Sequence, residues 1–294
     1  VIDLMVPYWG DPEYFKATVR SVLAQTSPDW RLTVLDDANP DPWAGEWLAS
    51  LDDERITYRR NETNQGITVA FRQCIELATA DLVAVPGSDD LLLPDYVRVV
   101  TEAHRRFPTA DIIQPGVRVI DEHGAPATPL ADTIKQRVVR PRGQGTRVLA
   151  GERLATSLLH GDWLYWPSLV FRREAVQATP FRPGLPIILD LALVLDMVLA
   201  GSELVVEPQE VFAYRRHSAS LSSVKLLDGS RFAGEREYFD LAAELMRRRG
   251  WSRATRAART HITSRLYAAT LLPTALKAGD RAALRTLLRH TLRP

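Results

Sequence analysis

Leu82-Val83-Ala84-Val85-Pro86-Gly87-Ser88-Asp89-Asp90-Leu91-Leu92-Leu93-Pro94-Asp95 decides how this chain is read. The unbroken apolar run Leu82 to Val85 has the character of a parallel strand buried on both faces. It ends in a Pro-Gly turn followed by two adjacent carboxylates. Pro94 suits the first turn of a helix, where a missing N–H costs nothing. A strand, an acid-bearing turn and a helix make the unit of an open α/β sheet, whose ligands gather beyond the carboxyl ends of the strands.

The unit recurs on either side. Ile2 to Val6, Leu32 to Leu35, Ile56 to Tyr58 and Ile112 to Gln114 read as strands, and Pro12 to Ala24, Gly66 to Ala78 and Pro94 to Phe107 as helices. The first 120 residues therefore predict an α/β fold with a mostly parallel central sheet flanked by helices. Residues 121 to 151, rich in Gly, Pro, Thr and Arg, read as a loop or excursion. After Trp163 come an aromatic cluster, a helix from about Asp190 to Ala200, a strand at Leu204 to Glu207 and a basic loop. Beyond Ser230 the chain reads as a helical extension, in which Arg281, Arg285, Arg289 and Arg293 fall opposite Leu284, Leu287, Leu288 and Leu292.

Composition narrows the classes. With 294 residues the chain buries a core without staples, and its single cysteine, Cys74, sits in a helical apolar pattern, which excludes a disulfide scaffold. The net charge of +1 conceals an asymmetry: residues 231 to 294 carry 14 Arg or Lys against 5 Asp or Glu. That basic tail suits either peripheral contact at the inner face of a membrane or a homo-oligomer, and no nucleic acid partner is expected. No run of about 18 apolar residues occurs and the first strand begins at once, so the sequence predicts no span, no secretory leader and a cytoplasmic location.

Five sites could carry chemistry, the acid pair already quoted among them. Asp36 and Asp37 follow the second strand, where carboxylates accept hydrogen bonds from a base or ribose, or simply cap a turn. Asp89 and Asp90 can hold a divalent cation, Mn²⁺ or Mg²⁺, or N-cap the next helix. Asp190 opens a helix among apolar neighbours, which would raise its affinity for a proton, or it N-caps that helix. Tyr214-Arg215-Arg216-His217 precedes a run containing Ser220, and its cations could neutralise a departing anion. Asp162, Trp163 and Trp166 bring an acid and aromatic faces suited to a sugar ring, or pack in the core.

Val6-Pro7-Tyr8-Trp9, Ser21 to Thr26, Leu35-Asp36-Asp37, Asn64-Gln65-Gly66 and Ser88-Asp89-Asp90 with Pro94, in this order and spacing, resemble glycosyltransferase family 2 over residues 1 to about 220. The resemblance implies a GT-A fold and an inverting transfer from a nucleotide-diphosphate sugar, with UDP or dTDP donors favoured. The acceptor would be a hydroxyl on a glycan, a lipid-linked or a small-molecule acceptor. Residues 1 to 120 would form the nucleotide-sugar half, 121 to 229 the acceptor half and 230 to 294 a basic helical extension. By the same resemblance Pro7, Tyr8, Asp36, Asp37, Asn64 and Gly66 bind the nucleotide, and Ser88, Asp89, Arg215, Arg216 and Ser220 serve the donor sugar and diphosphate. Asp90, Asp89 and His217 serve the metal, Asp190 is the general base, and Asp162, Trp163 and Trp166 meet the acceptor.

Gly87 and Leu189 depart from the family pattern, each standing where an acid is usual. They favour the rival of a catalytically silent sugar-nucleotide or glycan binder on the same fold. A dinucleotide-dependent oxidoreductase lacks its Gly-x-Gly-x-x-Gly turn here, a P-loop enzyme its Gly-Lys-Ser/Thr, and a nucleotidyltransferase its Gly-rich loop.

Overall fold

The computed structural model describes residues 1–294 apart from 142, 183, 184, 186, 187, 218–229, 278, 293 and 294. One nine-stranded sheet runs through residues 2 to 215, in the order β3-β2-β1-β4-β8-β6-β9-β5, with β7 also on β9. Its strands are β1 (Ile2–Tyr8), β2 (Trp30–Asp36), β3 (Ile56–Arg60), β4 (Leu82–Ala84), β5 (Leu91–Leu92), β6 (Ile112–Ile120), β7 (Arg147–Leu149), β8 (Val170–Arg172) and β9 (Leu204–Arg215). The expected parallel character holds for β1 to β4. Beyond them β8 runs antiparallel between β4 and β6, and only the β6 and β9 pair is parallel again, so the sheet as a whole is mixed.

The helices of the sheet are α1 (Pro12–Leu23), α2 (Trp43–Ala49), α3 (Ile67–Leu77), α4 (Tyr96–Arg106), α5 (Leu130–Ile134) with a π-helical turn Lys135–Val139, α6 (Gly151–His160), α7 (Arg173–Gln177) and α8 (Leu189–Ala200). Asp11 caps α1, its carboxylate accepting from the N–H groups of Glu13 and Tyr14. The α8 helix is apolar on every side from Leu191 to Leu195 and accordingly lies inside the core. Cys74 is buried in that core, as its helical setting predicts, and desolvation pushes its thiol well above the ordinary range.

Four helices follow: α9 (Ser230–Arg248), α10 (Ser252–Thr260), α11 (Ile262–Lys277) and α12 (Arg281–Leu292). Tyr238, Phe239, Ala242 and Met246 of α9 and Ala254, Ala257 and Ala258 of α10 belong to the same core as α8. Phe232 with Ala268, Ala275, Ala283 and Leu287 makes a small separate core beneath α11 and α12. No helix among the described residues is long and apolar enough to cross a membrane.

The sixth strand outruns its expected end at Gln114 because Pro115-Gly116, which reads as a break, is a bulge. The register with β9 shifts there, and a Cβ on Gly116 would sit 2.5 Å from the Pro208 carbonyl oxygen.

Candidate active site

Packing under the second acid pair explains why it sits where it does. Thr18 of α1 donates to the Asp90 carbonyl at 2.7 Å, and Ser21 accepts from the Leu92 N–H at 3.1 Å. Gln25 donates to the Leu93 carbonyl at 2.9 Å and accepts from the Val97 N–H at 2.9 Å, so the end of α1 clamps the path from β5 to α4. From the other side β9 closes on β5, and the Arg215 N–H donates to Asp90 Oδ1 at 2.9 Å.

The result is a pair of carboxylates held in unlike states. Asp90 is 1% exposed, and its Oδ2 has no hydrogen-bond partner. Burial, and then the neighbouring charge of Asp89, push its carboxyl well above the usual range. Asp89 is half-buried and meets His217 Nε2 through Oδ2 at 2.8 Å, a bond that raises the imidazole above its ordinary value. A Cβ on Gly87 would lie 2.7 Å from Asp89 Oδ1 and 2.8 Å from Asp90 Oδ2, so both oxygens border one small volume beside the Gly87 backbone. Two carboxylate oxygens around one point, one of them buried and unsatisfied, are a donor set that would suit a hard divalent cation, which takes oxygen ligands. Among the described residues no three His, Cys, Asp or Glu side chains form a metal-holding group. His217, expected as a ligand, acts on the pair through its bond to Asp89.

Several expected nucleotide contacts are corrected by the structure. Asp36 is fully buried, accepting from the Asn39 N–H at 2.7 Å and the Tyr58 hydroxyl at 2.6 Å and pairing with Arg60. It has no face for a ligand, because it lies on the sheet face it shares with Tyr58 and Arg60 of β3, which occupy its oxygens. The Tyr8 ring is likewise inside, stacked 4.0 Å from Phe15. Pro7 is buried beside it. Asp37 turns to the loop before α3, accepting from the N–H groups of Gln65 and Gly66 at 2.9 Å each and from Asn61 Nδ2 at 2.7 Å. It braces that loop, together with Asn64, whose Oδ1 accepts from the Gly66 N–H at 3.0 Å. Trp9, which the sequence reading passed over, stands 58% exposed at the end of β1. Asn39 donates to the Gly10 carbonyl at 3.4 Å and ties this turn to the end of β2. A tryptophan beside a glycine just past a buried strand was the available signal.

Arg215 is also corrected. Its guanidinium is spent on the carbonyls of Asp89, Asp121 and Glu122 and lies over the Tyr14 ring, which makes it a brace for the Asp89 turn. Arg216 grips Asp132 with two bonds at 3.0 and 3.1 Å and covers the Tyr214 ring. Ser88 is half-buried between the turn and the pair, and Ser220 lies outside the described residues.

Asp132 leads to the second cluster. Tyr165 donates to it at 2.9 Å, and Lys135 bonds the Leu164 carbonyl with its ammonium 4.1 Å from the Tyr165 ring centre. Burial pushes the Lys135 ammonium down, and the charges of Asp162, Asp132 and Asp190 pull it back up. These acids therefore share one neighbourhood with Arg216. Asp190 sits half-buried in the first turn of α8, where its Oδ1 accepts from the Leu191 N–H at 2.8 Å. Asp162 accepts from the Leu164 N–H at 3.1 Å. Asp196 faces away, paired twice with Arg182. Trp163 is corrected to a core residue, 1% exposed and donating to Ser157. Trp166 is the half-buried aromatic of the segment, packed 5.6 Å from Phe71 of α3 and so linked to the Asp37 loop. Nothing in sequence singled out Lys135 or Asp132, since both sit in a stretch that reads as loop.

Comparison with known proteins bears on the family and the fold. The profile of the family described as Glycosyl transferase family 2 matches residues 3–153. The succinoglycan biosynthesis protein ExoW of Rhizobium meliloti is 33% identical over 111 residues, 36% of this chain and 34% of that protein. The glucosyl-dolichyl phosphate glucuronosyltransferase of Haloferax volcanii is 30% identical over 100 residues, 33% of this chain and 31% of that protein. Each match thus spans about a third of the relative's length. The crystal structure of Staphylococcus aureus TarS 1-349 in complex with UDP-GlcNAc superposes with a TM-score of 0.61 at 11% identity, covering 97% of this chain and 90% of that one, which establishes a shared fold.

Proposed function

Because the chain belongs to glycosyl transferase family 2, we propose that it is an inverting glycosyltransferase moving a sugar from a nucleotide diphosphate to an acceptor hydroxyl. The observation that carries this reading is the convergence of Asp89 Oδ1 and Asp90 Oδ2 on one point beside Gly87, with Asp90 Oδ2 buried and otherwise unsatisfied. A cation bound there would neutralise charge on the diphosphate of the donor. Uridine and thymidine donors come first, in keeping with the UDP-GlcNAc bound by TarS.

Each remaining group has a task. Trp9 offers an exposed indole face to the base, and Asp37 holds the loop of Asn64 and Gly66 that closes the other side. His217, whose protonated form the bond to Asp89 favours, would add positive charge where the diphosphate departs. Asp190 takes the proton from the acceptor hydroxyl as that oxygen attacks the anomeric carbon from the face opposite the leaving group. Lys135 lies in the neighbourhood of Asp190 and Asp162, whose charges favour its ammonium form. Trp166 supplies the acceptor-side aromatic surface.

The test is a thermal-shift series on the intact chain with UDP-, dTDP- and GDP-sugars, each with Mn²⁺, with Mg²⁺ and with chelator. A Tm rise that needs both a sugar nucleotide and the cation, and that Asp90→Asn removes, is expected. No response to any donor would sink the proposal. The silent-binder reading is favoured by one observation, the apolar and buried Leu189 beside Asp190; it predicts the same Tm rise without product from any acceptor.

A further inference from the structure

Large apolar side chains left in water cluster on this molecule. Among the described residues Ile262, Leu266 and Leu276 project from α11, Leu288 and Leu292 from α12, and Ile134 and Val138 from the segment before β7. Single exposed leucines need no explanation, but these are patterned. On α11 Ile262, Leu266, Pro273 and Leu276 recur along one exposed stripe, with Leu266 62% exposed. On α12 the exposed side holds Arg281, Arg285, Leu288, Arg289 and Leu292, the last 70% exposed. The opposite sides of both helices, Ala268, Ala275, Ala283 and Leu287, close over Phe232. The two helices thus form an outer layer whose far side is both apolar and cationic.

Charge selects what could cover it. Residues 262 to 292 carry five cations, Arg265, Lys277, Arg281, Arg285 and Arg289, and a single acid, Asp280. That acid is spent on capping α12, accepting from the N–H groups of Ala282 at 3.0 Å and Ala283 at 2.9 Å. A second copy docked symmetrically would set Arg281, Arg285 and Arg289 against their own equivalents, an arrangement that like charges oppose. An anionic lipid surface satisfies both features, since its headgroups attract the arginines and its acyl boundary accepts the leucines.

The same layer begins at the acceptor side of the site. Thr263 of α11 donates to the His160 carbonyl at 2.5 Å. A Cβ on Gly161 would lie 2.7 Å from Val139 Cγ1 and 2.9 Å from Thr263 Oγ1, so the π-helical turn and α11 meet one residue before Asp162. Exposed Val138 and Ile262 are the immediate neighbours of those two contacts.

We propose that the outer side of α11 and α12, with Ile134 and Val138, is a docking face for an anionic phospholipid bilayer, and that it holds the entrance to Asp162 and Trp166 at the lipid surface. The second clause rests on the glycosyl-transfer reading of that site; the docking itself does not. The experiment is sedimentation of the intact chain with vesicles of phosphatidylcholine alone and with about one-third phosphatidylglycerol. It is run beside Arg285→Glu/Arg289→Glu and Leu288→Ser/Leu292→Ser, with light scattering for mass. Binding to the anionic vesicles only, weakened roughly tenfold or more by either pair, with an unchanged melting curve and a monomeric mass, is expected. Absence of binding, variants that bind as the parent does, or a dimer that the leucine pair dissociates would each overturn it. Vesicle binding needs no sugar nucleotide, so a chain that docks but ignores every donor contradicts the functional reading alone.

Discussion

Asp90 is gripped from below by Thr18 and from the side by Arg215, yet one of its oxygens is left buried without a partner. An unsatisfied buried acceptor costs about 1–3 kcal/mol, and more when charged. Asp90→Asn in the absence of metal should therefore melt no lower than the parent, and up to about 2 kcal/mol more stable, while losing its metal-dependent response to donor. A clear drop in apo Tm would contradict this account of the carboxylate. Gly87 has its own constraint, since an added methyl would press within 2.8 Å of both acidic oxygens. Gly87→Ala should weaken cation-dependent donor binding about tenfold or more, read by calorimetric titration with Mn²⁺ present. Asp89, Asp90 and Asp190 stood out in the sequence because acids at a strand end or a helix start can bind a cation or take a proton as well as cap a turn. Asp36, Tyr8 and Trp163 misled for another reason: sequence does not say which way a side chain turns, and here strand alternation and core packing turned all three inward.

Elements explain why the acids stay in place. Gln25 joins α1 to β5 and α4 through the Leu93 carbonyl and the Val97 N–H. Gln25→Ala leaves both groups to be satisfied otherwise and should cost about 2 kcal/mol, seen as a lower midpoint in urea at unchanged slope. The C-terminal helices hold a buried polar knot of Glu235, Ser264, His261 and His290, with Arg236 and Arg265 beside it. Burial pushes His290 down to about 4 from 6.5, and lowers His261 as well. The unfolded chain then takes up protons between pH 6.5 and 4 that the folded chain refuses. Stability is accordingly full above pH 6.5 and falls as pH drops through that window, by on the order of 3 kcal/mol for His290. His290→Phe should flatten the loss of Tm between neutral pH and pH 5; an equal loss would place the acid sensitivity elsewhere. Helix boundaries in the first 120 residues were readable from period and proline. The short pieces α2, β5, β7 and β8 were not, because runs of two to seven residues carry too little periodicity.

At the scale of the whole molecule, the parallel half of the sheet presents Trp9, the Asp37 loop and the Asp89 turn at successive strand ends. The mixed half returns Arg215 to His217 to the same turn and brings Asp132, Lys135, Asp162 and Asp190 alongside. The first half could be foreseen because its order in sequence is nearly its order in space. Strand β8, by contrast, inserts between β4 and β6 from far along the chain, a placement no local pattern announces. The outer helices add a charged, apolar layer that meets the π-helical turn beside Gly161. We propose that one pocket divides its labour: the Asp89 and Asp90 turn would hold a cation and the diphosphate, and Asp190 would act only on the acceptor. Mn²⁺ binding followed by its paramagnetic signal, with and without UDP-sugar, on the parent, Asp90→Asn and Asp190→Asn, measures this directly. The account predicts donor-enhanced Mn²⁺ binding in the parent and in Asp190→Asn and none in Asp90→Asn, with sugar transfer lost in both variants. Equal donor-enhanced binding in Asp90→Asn, or undiminished transfer by Asp190→Asn, would contradict it.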